Sequence, residues 1–289
     1  MKITVVKKAA LFEFLQEQYP DSPRTRVKKL LQSGTVLVNN IPVSLHSYKL
    51  NTGDIVEIVK SGIKTSKASS PFPVLYEDKE VIVIDKPAGI STSSVDGSRN
   101  VRDELSSFLR DNTKGTERAW VVHRLDKEVS GVLLYAKSLE LAETIKERWE
   151  ETEKQYYALV EGLPVEPEGT IKSYLKEDRQ QKVFSSKDQE KGKLAITDYK
   201  VLRQVKEFTL LNIKTHTGRK NQIRVHMADL GCPIVGDRKY GASAKYIRRV
   251  RLHAYSLSFP HPVSGNIISV NSRMPEKFLV VKEGDEKYK

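Results

Sequence analysis

The sequence holds a single cysteine, Cys232, in 289 residues, so no disulfide can form within the chain and no thiol cluster can bind a metal. In its context LGCPIVGD it reads as a small buried residue. The six histidines (His46, His123, His216, His226, His253 and His261) show no HExxH or comparable ligand spacing, which leaves a metal enzyme without support. A P-loop and a glycine-rich dinucleotide fingerprint are also missing, so no nucleotide or redox cofactor is expected. No apolar run approaches the length of a bilayer span. The N-terminal MKITVVKKAALFEFL is interrupted by charge and lacks a small-residue cleavage site, so a cytoplasmic protein without membrane attachment is expected.

What the chain does have is positive charge: 49 Lys and Arg against 37 Asp and Glu, a surplus of 12. That surplus suits a polyanionic partner but does not choose among nucleic acid, an anionic membrane and a merely soluble basic surface. The length and a hydrophobic fraction of 38% allow one large domain and one small one. The stretch SGIKTSKASSPFP, residues 61–73, has the Ser, Lys and Pro content of a connector, and the domain boundary is expected there.

Residues 1–60 read as helix, helix, then a small sheet. LFEFLQEQY carries Leu11, Phe12, Leu15 and Tyr19 at helical spacing, RTRVKKLLQSG repeats the period with Val27, Leu30 and Leu31, and Gly34 marks its stop. TVLVNN and DIVEIV alternate as half-buried strands do. In residues 74–289, EVIVIDKPAG, VLLYAK, KQYYALVEG, AITDYKVL, FTLLNIKT, HAYSLSF and NIISV are strand candidates. SLELAETIKERWEE reads as a helix capped by Ser138, with Leu139, Ala142, Ile145 and Trp149 on one face, and QIRVHMADLG as a short helix closed by Gly231. The expected class is α+β, a large mainly antiparallel sheet with interleaved helices. The polar residues 176–193 read as a surface hairpin or loop, and the charged tail KEGDEKYK as a frayed end.

The stretch HRLDKEVSGVLLYAK, residues 123–137, carries the chemistry. An Asp before Lys-Glu is ordinarily a turn or cap residue. Here His123, Arg124 and Asp126 crowd charge between apolar strands, where a solvated run is not expected. This stretch resembles the signature HRLDxxTSGxxxxA of the RluA-type RNA pseudouridine synthases. EDKEVIVIDKPAG (77–89), KQYYALVEG (154–162), TGRKNQIRVHMADLGCPIVGDRKYG (217–241) and RLHAYSLSFPHPVSG (251–265) resemble further segments of that family in its own order. RTRVKKLLQSGTVLVNN with KLNTGDIVEI similarly resembles the α-L RNA-binding domain that precedes many members. The chain departs from the family at Val129 (usually Thr), at Lys220-Asn221 (usually Thr-His) and at STSS 91–94, which lacks a His-Pro.

The resemblance implies an isomerase that makes pseudouridine in RNA, with Asp126 as the catalytic carboxylate, Arg224 as its paired cation and Tyr156 stacked on the target base, where it could also assist proton removal. It leaves open whether Asp126 attacks ribose or uracil. Ile223 would add an apolar wall to the pocket, His123 would order the loop, and Arg124 would engage RNA as the base leaves the stack. Arg219, Arg248 and Arg249, with Arg24, Arg26, Lys28 and Lys29 on the second helix, are candidate RNA contacts, each of which could instead be only a solvated charge. Ribosomal RNA is expected ahead of transfer RNA by analogy with family members that carry the extra domain, and the protein is expected to be a monomer. Two other readings use the same residues: an RNA-binding or RNA-folding protein on a synthase scaffold, and an N-glycosidase that releases free uracil.

Overall fold

A computed structural model describes residues 2–20, 22–32, 36–39, 41–43, 48–58, 70–113, 115–186, 192–246 and 249–281. Gly34, residues 61–69, Arg248, the side chain of Lys29 and the tail from residue 282, all of which bear on the expectations above, lie outside that description. Among the described residues no helix is long and apolar enough to cross a membrane.

The N-terminal part comprises β1 (Lys2–Thr4), β2 (Ala9–Ala10), α1 (Leu11–Gln18), α2 (Arg24–Gln32), β3 (Val36–Val38), β4 (Ile41–Pro42), β5 (Lys49–Leu50) and β6 (Ile55–Ile58). The strands form an antiparallel sheet in the order β1-β6-β3-β4 and a two-residue pair β2-β5. Helical periodicity aims Leu11, Phe14 and Leu15 of α1 and Val27 and Leu31 of α2 into one core with Val36, Val38 and Val56. Phe12, expected to face that core, only borders it, and Phe14 takes the buried place. Arg24, Arg26 and Lys28 of α2 are exposed, with the Arg24 guanidinium over the Phe12 ring.

The larger part comprises β7 (Val74–Glu77), β8 (Val81–Lys86), α3 (Val101–Asn112), β9 (Trp120–Val121), β10 (Ser130–Ala136), α4 (Leu139–Glu147), β11 (Glu153–Glu161), β12 (Glu168–Glu177), β13 (Val183–Ser186), β14 (Lys193–Val205), β15 (Phe208–Thr215), α5 (Gln222–Asp229), β16 (Leu252–Pro260) and β17 (Ile267–Asn271). Its eleven-stranded sheet runs β13-β12-β14-β15-β11-β16-β10-β8-β7, with β9 on β10 and β17 on β16. Every described pair is antiparallel except β10 and β16, which run parallel over Ser130↔His253 and Gly131↔Ala254. All seven residues of β10 are buried. Leu133 and Tyr135 face a core shared with Leu105 and Leu109 of α3 and Ile223 and Met227 of α5, while Val132, Leu134 and Ala136 face one shared with Ala142 and Ile145 of α4. Burial on both sides accounts for the unbroken apolar run VLLYA.

Helix α3 was not anticipated, although Val101, Leu105, Phe108 and Leu109 recur at helical spacing behind Asn100, whose side chain caps Asp103 N at 3.0 Å. For α4 the expectation holds at Ser138, which caps Leu141 N at 3.2 Å, and fails at both ends of the apolar stripe. Leu139 is 47% exposed, and Trp149 sits in a separate single turn, Trp149–Glu151, after the helix has ended. Phe72, in the stretch read as connector, is buried in the core of the large sheet. The polar stretch 176–193 contains the turn between β12 and β13.

The parallel contact makes a steric demand at one residue. Gly131 has φ +118°, and a Cβ there would stand 2.0 Å from the carbonyl oxygen of Ala254. Only glycine lets β10 approach β16 this closely, and the loop that leads into β10 carries Asp126.

Candidate active site

Residues 123–129 join β9 to β10 and lie on the floor of an open cleft of about 2010 Å³. The loop is tied from several directions. The buried Thr92 hydroxyl donates to Leu125 O at 2.8 Å and accepts from Leu125 N at 3.1 Å, and its own carbonyl accepts the Tyr135 hydroxyl at 2.9 Å. Gly89 N donates to Lys127 O at 2.7 Å. Lys86, completely buried, donates from Nζ to Ile90 O, Pro87 O and Lys127 O at 2.8, 3.0 and 3.4 Å. Burial lowers its pKa to about 8, with Asp126 and Glu128 opposing the shift. Its ammonium therefore pins the turn after β8 against the Asp126 loop.

From the other wall comes α5. It starts at Asn221, whose left-handed φ of 54° a short polar side chain tolerates. Gln222 and His226 share one face of the helix. Gln222 Nε2 donates to Ile196 O at 3.0 Å and Thr197 Oγ1 at 2.9 Å, while the His226 ring bonds Thr197 and Ser173, both at 2.9 Å. Burial lowers the His226 pKa to about 4, so the ring is a neutral fastener. With that face bolted to β12 and β14, Arg224 is left to line the cleft.

Arg224 organises the charges. Its Nε and Nη2 donate to the two oxygens of Asp237 at 2.6 and 2.8 Å, a bidentate pair with Arg224 7% and Asp237 1% exposed. Its Nη1 donates to Asn221 Oδ1 at 3.1 Å, Glu128 at 3.4 Å and Asp126 Oδ2 at 3.5 Å. The pairing implied by the resemblance is thus the longest of these contacts, and Asp237 is the main partner. Desolvation raises the Asp126 pKa, Arg224 pulls it back, and Glu128 and Asp237 push it up again. Tyr156, on β11 between Ile213 and Ala254, also lines the cleft. Its pKa is raised to about 12 by burial, with Thr215 lowering it and Asp126 raising it, so the phenol keeps its proton at neutral pH.

A family model described as RNA pseudouridylate synthase matches residues 80–229, and one described as S4 domain matches residues 11–56. An uncharacterized RNA pseudouridine synthase of Aquifex aeolicus is 34% identical, covering 94% of this chain and 92% of the relative. A ribosomal large subunit pseudouridine synthase D of Xanthomonas campestris pv. campestris is 33% identical, covering 91% and 84%. The chain is an RNA pseudouridine synthase of the RluA-type family. Among solved structures, human RNA Pseudouridylate Synthase Domain Containing 4 matches with a TM-score of 0.61 at 24% identity over 74% of this chain and 95% of its own, a likeness of fold. The S4 match covers the two-helix N-terminal part, the α-L domain.

The synthase brings His123, Asp126, Tyr156, Ile223 and Arg224 to the same cleft, with Arg124, Arg219 and Arg249 along its lining. The His123 Nε2 accepts from Leu134 N at 3.1 Å, and its pKa is lowered to about 3 by burial and by Lys154, so it orders the loop as a neutral ring. Arg219 Nε donates to Leu194 O at 2.9 Å. The departures from the family motif find local explanations. Val129 is buried in the apolar core, Asn221 bonds both Tyr240 and Arg224, and Lys220 pairs with Glu177.

Lys86, Thr92 and Asp237 went unassigned from sequence. Each lies inside or beside a quoted motif, but its partner is distant along the chain. Among the described residues Asp78, Glu80 and His261 bring potential ligand atoms within 4.8 Å of one another. The His261 Nδ1 accepts from Val263 N and Ser264 N at 3.3 and 3.1 Å, so Nε2 carries the proton and donates to Asp78 at 3.1 Å. That geometry locks two turns together and offers no free ring nitrogen.

Asp237→Ala leaves the Arg224 guanidinium buried without its main counter-charge. It is expected to cost about 3–5 kcal/mol of stability and to slow pseudouridine formation, read by thermal melting and by tritium release from uracil labelled at carbon 5. Wild-type melting and rate in this variant would remove Asp237 from the support of the site.

Proposed function

We propose that the synthase isomerises uridines of ribosomal RNA, with Asp126 as the reacting carboxylate and the N-terminal domain, residues 1–60, recruiting the RNA. The observation that carries this reading is the Asp126 carboxylate in the cleft, in contact with the Arg224 guanidinium and close enough to the Tyr156 phenol to raise its pKa. Pseudouridine formation breaks the bond from uracil nitrogen 1 to ribose carbon 1′ and joins uracil carbon 5 to that same carbon. A proton leaves carbon 5 and one arrives at nitrogen 1. A uridine stacked in RNA cannot reach this carboxylate, so the nucleotide must be flipped out, at a cost of a few kcal/mol.

In the cleft the ionised Asp126 attacks and holds one fragment while the other turns. Desolvation makes it reactive, and Arg224 keeps it charged. Tyr156 supplies a flat face for the base, with Ile223 beside it. Arg124, exposed at the cleft and planar, suits stacking or phosphate contact as the base leaves. Ribosomal RNA is favoured because relatives named for the large ribosomal subunit align over most of this chain, among them a synthase C of Rickettsia prowazekii at 34% identity. The reading is of a monomer acting in the cytoplasm, with Asp126, Tyr156 and Arg224 supplied by one chain.

Asp126→Asn keeps side-chain volume and removes the anion. It is expected to melt no lower than wild type, bind ribosomal RNA and form no pseudouridine, measured by tritium release; activity near wild type would take Asp126 out of the mechanism. Residues 1–60 hold nine Lys and Arg against five Asp and Glu, and Arg24, Arg26, Lys28 and Lys29 are our candidate phosphate contacts. A chain beginning at Ser70 should therefore bind ribosomal RNA more weakly. Its log–log salt dependence should be shallower by roughly 0.7–0.9 per lost contact, with turnover retained at saturating RNA. Equal affinity and slope for the short and full chains would refute the recruiting role.

A further inference from the structure

Lys154 precedes Tyr156 by two residues on β11, and both side chains line the cleft. Residues two apart on a strand share a face and are about 7 Å apart. Lys154 is only 7% exposed, yet among the described residues no carboxylate, carbonyl or hydroxyl bonds its ammonium. Its close electrostatic neighbour is the Trp149 ring, with Nζ 5.4 Å from the centroid. Burial lowers its pKa, and no carboxylate opposes that shift. Three other cations are held by the protein: Lys86 is surrounded by carbonyls, Lys137 pairs with Glu77 and Glu117, and Arg224 holds Asp237, while the buried Arg251 donates from Nη2 to Val280 O and leaves Nη1 unpartnered among the described residues. The Lys154 Nζ keeps some exposure at the cleft, so an anion that enters the cleft can reach it.

The surroundings define that partner. The half-buried Trp149 ring stacks on His123, with centroids 4.9 Å apart and planes at 28°. Because the His123 Nε2 accepts from Leu134 N, its proton is on Nδ1, and among the described residues that N–H has no acceptor. The wall thus offers a point positive charge and a neutral N–H donor beside an aromatic ring that displaces water. An ammonium of this kind recognises a phosphate, and phosphodiester is the anion that every RNA substrate carries.

We propose that Lys154, with His123 and Trp149, forms a phosphate subsite that holds a phosphodiester flanking the uridine positioned at Asp126. The subsite fixes the register of the strand in the cleft, on the side of β11 that also presents Tyr156. The proposal rests on the RNA entering this cleft, as the synthase reading requires.

The test uses the full-length protein and a short fluorescein-labelled oligouridylate, with affinity measured by anisotropy across a salt series and stability by thermal melting. Lys154→Met keeps the apolar stem and removes the charge. It is expected to bind about tenfold more weakly, as for a lost charge-assisted hydrogen bond, to flatten the log–log salt slope by about 0.7, and to melt at or above the wild-type temperature. Lys154→Arg retains the charge and should retain the wild-type slope. Unchanged affinity and slope in Lys154→Met would overturn the proposal. So would a lowered melting temperature, which marks a structural lysine, or a Lys154→Arg slope as flat as that of Lys154→Met. Pseudouridine formation by wild type, followed in parallel, separates failure of this subsite from failure of the synthase reading.

Discussion

One guanidinium faces three carboxylates, and the active site depends on how it divides itself among them. Arg224 gives its bidentate edge to Asp237 and only the longer reach of Nη1 to Asp126 and Glu128. A cation fully engaged by Asp126 would hold that carboxylate deeply ionised, well solvated by hydrogen bonds and correspondingly inert. With Asp237 taking the bidentate edge, Asp126 keeps only a long contact to the guanidinium; desolvation lifts its pKa and Arg224 opposes the lift. A raised carboxylate pKa also means that ionising the group opposes folding as pH rises past its ordinary value, a cost in stability that the surrounding sheet must offset.

The rest of the cleft keeps that arrangement in place. Gly131 lets β10 lie against β16, which sets where the Asp126 loop ends. Lys86 and Thr92 then fix the loop from below. Gln222 and His226 hold the far face of α5, so Arg224 cannot turn away. Asp237 follows Gly236, which has φ +81° and where a Cβ would lie 2.3 Å from Arg249 O, so close backbone approach delivers the counter-charge as well. Precision of this kind matters because small displacements of a reacting group erode effective concentration steeply.

The sequence disclosed what depends on local pattern. Period-two alternation and continuous apolar runs marked most strands, and Ser138 marked the start of α4 correctly. The run HRLDKEVSG stood out because charge was inserted between buried strands. Trp149 was misassigned because helical spacing continued on paper past the point where the helix breaks, and α3 was passed over despite a regular stripe. The partners of Arg224 were hidden for a different reason. Asp237 is thirteen residues away across two turns, and nothing in QIRVH or VGDRK says that the two side chains meet. Lys86 was hidden because a lysine is ordinarily exposed, and only the fold shows carbonyls converging on its ammonium.

The balance between desolvation and Arg224 at Asp126 is read most directly by titrating its carboxyl carbon by carbon-13 NMR, assigned by difference from Asp126→Asn. The expected midpoint lies above the ordinary aspartate value of about 3.9 in the wild type and higher still in Arg224→Gln. A wild-type midpoint at or below the ordinary value, or one that does not move when Arg224 is replaced, would contradict that balance.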